Sequence, residues 1–140
     1  MASVFTQIIQ HKLPGHFVWR DEKVVAIMTI QPIMPGHVLV IPIEEIDHFD
    51  DLPPALAAHV MVVSQKIAKA LKRSFPSQRV GLTIAGLEVP HTHVHLLPIN
   101  TMVDFDFSRV TMATAESLAS AAKAIRQALT DAGESAVSDQ

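Results

Sequence analysis

Residues 91 to 97 read His-Thr-His-Val-His-Leu-Leu, so three imidazoles recur at every second position. In a β-strand successive side chains point to opposite faces, which puts His91, His93 and His95 on one face and Thr92, Val94 and Leu96 toward the core. Imidazoles two positions apart then stand about 6.5 to 7 Å from one another, close enough to surround one small group such as a phosphate. Imidazole titrates near neutral pH and serves as nucleophile, general acid or hydrogen-bond donor according to its tautomer. Histidines at this spacing also suit zinc. His37 follows Pro35-Gly36 at the head of an apolar run, and a fourth imidazole could complete a metal site or support a catalytic histidine. These residues alone leave both readings open. His11, His16, His48 and His59 share no spacing and read as surface or packing residues.

The elements that must carry these groups are legible from pattern. Ser3 can cap a short helix over residues 3–10, with Val4, Ile8 and Phe5 on one side. Phe17 to Arg20 and Val24 to Ile30 read as strands joined by the charged turn Asp21-Glu22-Lys23, a hairpin. Residues 37–43, HVLVIPI, form an apolar run bounded by prolines, as in a strand buried on both faces. Leu56, Val60, Val63, Ile67 and Leu71 recur at helical spacing between Pro53 and Phe75. Val80 to Ala85 and His91 to Leu97 are the last two strands, paired antiparallel across the tight connection Gly86 to Pro90. Leu118, Ala122, Ile125 and Leu129 mark a final helix ending near Gly133. Strands come in runs rather than in strict βαβ alternation, so the expected class is α+β, a five-stranded antiparallel sheet with two main helices.

Composition restricts the function. The chain has 140 residues, no cysteine, a formal charge of −3 and a sequence pI near 6.2. One domain with a real hydrophobic core is expected. The acidic balance argues against a nucleic-acid polymer as partner, since that needs a basic face to displace counterions. Without cysteine there is no disulfide, thiolate nucleophile or Cys-based zinc site. Residues 1–14 lack the basic start and unbroken apolar core of a signal peptide, and no apolar run approaches ~20 residues. A cytoplasmic protein without a membrane partner is the expectation.

The residues at 91–97 resemble the signature of the histidine-triad (HIT) family, His-φ-His-φ-His-φ-φ with φ apolar, except at Thr92. PGHVLVIP at 35–42 is a second match, and the order of elements is similar over residues 3–100. The resemblance implies an antiparallel α+β fold, a homodimer with joined sheets, and hydrolysis or transfer at the α-phosphate of a purine nucleotide or nucleotide conjugate. It makes His93 the nucleophile that forms a nucleotidyl-histidine. His95 contacts phosphate and assists the leaving group, while His91 and His37 orient the site. The base pocket carries over to Val4, Phe5, Ile8, Ile27 and Leu39. No cofactor is implied.

Three positions depart from that pattern. Many relatives have an Asp, which binds both ribose hydroxyls, where Thr29 stands. The loop from Ala85 to Pro90 is short and carries Glu88 where phosphoramidate-hydrolysing relatives have a phosphate-touching Ser. A carboxylate beside phosphate is repulsive unless protonated, paired or turned away, so Glu88 is expected at the surface or against a histidine. Zinc-carrying relatives use cysteines and a histidine near position 45; here position 45 is Glu45, and no metal is expected. Gly86 and Glu88 complete the expected substrate-binding set with Thr29. The expected organisation is a HIT domain over 3–108, a C-terminal helical extension over 109–133 and a flexible tail over 134–140. The alternative to an enzyme is a nucleotide-sensing protein with little turnover.

Overall fold

The computed structural model describes residues 1–140. Helix α1 (Val4–Ile9) leads into strands β1 (Phe17–Arg20), β2 (Val24–Met28) and β3 (Val38–Pro42). Helix α2 (Pro54–Ser74) precedes β4 (Arg79–Thr83) and β5 (Val94–Ile99), and α3 (Ala115–Asp131) closes the order. All five strands form one antiparallel sheet in the order β1-β2-β3-β5-β4. The α+β class and the antiparallel five-stranded sheet are as the sequence pattern leads one to expect.

The hairpin turn is fixed by its own aspartate. Asp21 Oδ1 accepts the N–H groups of Lys23 at 2.8 Å and Val24 at 2.9 Å, which tightens the reversal from β1 to β2. The central strands are apolar on both faces because both faces are covered. One face, with Ala26, Met28, Val38, Val40, Val94 and Leu96, packs on α2 and α3 through Val63, Ile67, Leu71, Ala122, Ile125 and Leu129. The other face presents Phe17, Val25, Ile27, Leu39 and Ile41 to Phe5 and Ile9 of α1. That second face is the one on which β5 carries His95, since His95 is paired with Leu39.

The last strand begins later than the sequence pattern suggests. His91, Thr92 and His93 lead into β5, which starts at Val94. The antiparallel register of β3 and β5, Val40 opposite Val94, would bring Pro42 opposite Thr92. Pro42 has no N–H to give, so the ladder stops there. Thr92 instead turns its N–H and hydroxyl to the Ile46 carbonyl, at 2.8 and 2.7 Å.

The C-terminal residues are tied to the rest of the fold. The helix read as an extension places Leu118, Ala122, Ile125 and Leu129 in the same core as α2 and the sheet. The tail, expected to be flexible, returns along β1. Arg20 N–H donates to the Ala136 carbonyl at 2.9 Å, Ser138 N–H to the Val18 carbonyl at 3.3 Å, and Trp19 pairs with Val137. β1 is an edge strand, and the tail takes up backbone groups it would otherwise present to water. No helix is long and apolar enough to cross a membrane.

Candidate active site

His37 enters the site from a turn that only glycine accommodates. Gly36 adopts φ +89°, and a Cβ there would lie 2.9 Å from the Phe75 ring. The turn delivers His37, 1% exposed, to the head of β3 beside β5. There the Ile33 N–H donates to His37 Nδ1 at 3.1 Å, and His37 Nε2 lies 2.9 Å from His95 Nδ1. An amide N–H can only donate, so neutral His37 carries its proton on Nε2 and donates it to His95 Nδ1. The proton of neutral His95 is therefore on Nε2, the far side of its ring.

His93 is set the opposite way. Its Nδ1 lies 2.7 Å from the carbonyl oxygen of His91, which can only accept. The proton is on Nδ1 and the lone pair on Nε2. His91, fully buried, donates from Nε2 to the Pro42 carbonyl at 2.7 Å, and its Nδ1 faces Ser3 Oγ at 2.7 Å. Backbone groups thus present a free lone pair at His93 Nε2 and a free N–H at His95 Nε2, on rings whose centroids are 5.0 Å apart.

Electrostatics favour the neutral rings this arrangement needs. Burial pushes His37 down to about 4. Burial, reinforced by the positive charges His37 and His93 would carry, pushes His95 down to about 3. Burial lowers His93 too, against the opposing pull of its bond to the His91 carbonyl. Near pH 7 these three rings are uncharged, which leaves His93 Nε2 available for attack.

Two aromatic rings bracket the pair. Phe5 packs edge-on against His93 with centroids 4.8 Å apart, and Phe107 packs edge-on against His95, also at 4.8 Å. Phe5 is held by a polar clamp at the start of α1. Ser3 caps the helix, its Oγ accepting the Thr6 N–H at 3.0 Å. Glu45, beyond β3, accepts the Ser3 N–H and the Thr6 hydroxyl, each at 2.7 Å. Those two bonds, the Thr6 hydroxyl first, hold its carboxyl down at about 2.

The structure brings His37, His91, His93 and His95 together with Phe5, Ile27 and Leu39, and packs Ile8 against the same apolar cluster. Val4 lies apart, 40% exposed on the outer side of α1. Thr29 stands half-buried just past β2, its Oγ1 accepting the Gln31 N–H at 3.3 Å. Gly86 turns the loop at φ +74°, and Glu88 is exposed, its charge acting weakly on His93 against burial. No group of three or more His, Asp or Glu side chains is arranged to hold a metal ion, and the facing nitrogens of His37 and His95 are committed to each other.

Sequence reasoning missed six contributors. Ser3 is legible only as a helix cap, and Glu45 lies 42 positions away with no periodicity linking the two. The Ile33 N–H and the Pro42 and His91 carbonyls are backbone groups with no signature in side-chain pattern. Phe107 sits in a stretch with no motif at all.

The HIT domain model matches residues 10–102 of this chain. An uncharacterized HIT-like protein of Borreliella burgdorferi is 36% identical over 113 residues, covering 76% of this chain and 81% of that protein. The asymmetrical bis(5'-nucleosyl)-tetraphosphatase of Schizosaccharomyces pombe is 32% identical over 85 residues, 57% of this chain and 47% of that protein. Among solved structures, a zinc-bound histidine triad family protein of Mycobacterium smegmatis superposes with a TM-score of 0.81 at 27% identity, covering 96% of this chain and 99% of that one.

Proposed function

Because this chain belongs to the HIT domain family, we propose that it is a nucleotide hydrolase or nucleotidyl transferase acting at an α-phosphate through a nucleotidyl-histidine. The observation that carries the reading is the pair of opposed tautomers, a lone pair on His93 Nε2 beside an N–H on His95 Nε2. The His93 lone pair forms the new bond to phosphorus. The bond to the leaving group breaks, its electron pair staying on the departing atom, which accepts a hydrogen bond from His95 Nε2–H. The nucleotidyl-imidazolium keeps its Nδ1–H on the His91 carbonyl. Water, or another acceptor, then attacks phosphorus, the electron pair returns to His93 Nε2, and a proton is released to solvent. One displacement becomes two easier ones.

The base of a purine nucleotide would rest on Phe5, Ile8, Ile27 and Leu39, with ribose toward Thr29 and the loop of Gly86 and Glu88 closing the phosphate end. The relative from Schizosaccharomyces pombe, a bis(5'-nucleosyl)-tetraphosphatase by name, supports substrates of the dinucleoside polyphosphate kind; a nucleoside phosphoramidate presents the same feature to the site, a nucleotide joined to a leaving group at phosphorus. The homodimer expected from the resemblance would join at β4, the sheet edge that the C-terminal tail does not line. A cytoplasmic setting fits such substrates.

The direct test is release of the leaving group from adenosine phosphoramidates and from diadenosine polyphosphates by wild type and His93→Ala. Loss of release by at least about a thousandfold in the variant is expected, with a nucleotide-labelled protein trapped on rapid quench of the wild type in alkaline denaturant, where the phosphorus–nitrogen bond survives. Tight purine mononucleotide binding with no release in either protein would replace the enzyme with a nucleotide sensor.

A further inference from the structure

We propose that Phe107 forms the leaving-group wall of this site and makes it favour leaving groups that carry an apolar ring. This rests on the reading of His95 as the donor to the leaving group. Whatever departs from phosphorus toward His95 Nε2 meets the neighbour of that ring, and the neighbour is Phe107, edge-on with centroids 4.8 Å apart. Phe107 is 40% exposed, so part of its ring is covered by the protein and part is open to a ligand. It lies opposite Phe5, which gives the site one aromatic wall for each end of the substrate.

The segment that carries Phe107 is fixed at several points. Asp104 Oδ2 accepts the N–H groups of Asn100 and Thr101 at 2.7 and 3.1 Å. Asp106 Oδ1 accepts the Ser108 N–H at 2.9 Å, bracketing Phe107 with a tight turn. Phe105 packs against β4, where Gly81 leaves room: a Cβ at Gly81 would stand 2.0 Å from the Phe105 ring. Farther on, Ala113 N–H donates to the Ile30 carbonyl at 3.0 Å. Phe107 is thus positioned on His95 by anchors on both sides.

The surface around it is apolar, with weak provision for anions. Met102 and Val103 are exposed on the same segment, at 83% and 63%. Its charged groups are Asp104, Asp106 and Arg109, and Arg109 is engaged, its Nη1 donating to the Val103 carbonyl at 3.1 Å and lying 3.8 Å from Asp104 Oδ1. A polyphosphate leaving group would meet one committed cation against two carboxylates. A ring on a short neutral linker would gain contact with Phe107.

The test compares adenosine 5'-phosphoramidates of ethylamine and 2-phenylethylamine, which differ by one phenyl ring. In each, the N-protonated substrate loses neutral amine as His93 Nε2 bonds to phosphorus. Wild type is expected to show a kcat/KM about tenfold higher for the phenylethyl compound, the gain from covering one face of a ring. Phe107→Ala is expected to bring that ratio to within twofold, and Phe107→Leu to keep part of it and to stand in should the alanine variant fail to fold. Equal rates for the two compounds in wild type, or an unchanged ratio in the folded variants, overturns the proposal while leaving the hydrolase reading intact. No turnover of either compound overturns this proposal, and overturns the hydrolase reading as well when diadenosine polyphosphates are also left intact.

Discussion

Acidification should destabilise this fold well before its carboxylates protonate, and the size of the loss follows from the buried imidazoles. His37 and His95 fall from 6.5 to about 4 and about 3 on folding. At pH 5 the unfolded chain therefore binds a proton at each of these histidines and the folded protein binds almost none. Stability is fully present above 6.5 and declines as pH falls below it, because protons stabilise only the unfolded state. Between pH 6.5 and pH 5 the loss depends on the unfolded value alone, because both folded values lie below that window. One and a half pH intervals at ~1.4 kcal/mol each give about 2 kcal/mol per histidine, or about 4 kcal/mol for the pair. His93, shifted in the same direction, adds to this.

The assay is urea unfolding at pH 7.5 and pH 5, followed by the fluorescence of Trp19, the chain's one tryptophan, which is 4% exposed. Stopping at pH 5 keeps the carboxylates nearly silent. Asp21, Glu45, Asp104 and Asp106 are all lowered from reference values of 3.8 or 4.5, so their stabilising contributions fade only at lower pH. A domain of this size is usually stable by about 5 to 15 kcal/mol, so the expected loss is a large share of the total. His37→Asn should be less stable at both pH values yet lose about 2 kcal/mol less between them. A wild type equally stable at both pH values, or a variant with the same pH loss, refutes the assignment of these rings as buried and neutral.

Three further outcomes follow from the geometry. Gly36→Ala places a Cβ 2.9 Å from the Phe75 ring on a left-handed backbone; it should cost about 2 kcal/mol of stability in denaturant unfolding and lower turnover by misplacing His37. Ser3→Ala removes both the α1 cap and the partner of buried His91 Nδ1. A loss of about 2 kcal/mol is expected by the same measurement, with weaker nucleotide binding by calorimetry as Phe5 loosens. Thr29→Asp should raise affinity for adenosine monophosphate over its 2'-deoxy counterpart by several fold, since a carboxylate accepts from two hydroxyls where Thr29 offers one oxygen already accepting from Gln31.

Much of the fold was legible because burial follows side-chain periodicity. The hairpin, the two-sided strand at 38–42 and the long helix at 54–74 each have a pattern that only one element satisfies. The start of β5 was misplaced because the alternation His-Thr-His-Val-His reads as strand throughout, whereas the ladder is limited by its partner: Pro42 cannot donate, and that constraint lies in another segment. The contacts of the tail were hidden for a similar reason. Residues 134–140 are small and polar and look unable to hold a structure, but what holds Ala136 and Ser138 is the open edge of β1, bonded through backbone.

The same distinction separates the part of the site that sequence shows from the part it hides. Three histidines at alternate positions and a fourth after Pro35-Gly36 announce imidazole chemistry, yet four identical side chains cannot by their identity divide its labour. The division comes from what touches the unreactive nitrogen of each ring. A carbonyl on His93 Nδ1 leaves that ring a lone pair on Nε2, and a donating histidine on His95 Nδ1, itself fixed by the Ile33 amide, leaves that ring an N–H on Nε2. Exchanging those two environments would exchange the roles with no change in the motif. The roles are therefore written in the turn 31–36 and in the extended lead-in 91–93, where Gly36 and Pro42 set the backbone, as much as in the histidines themselves.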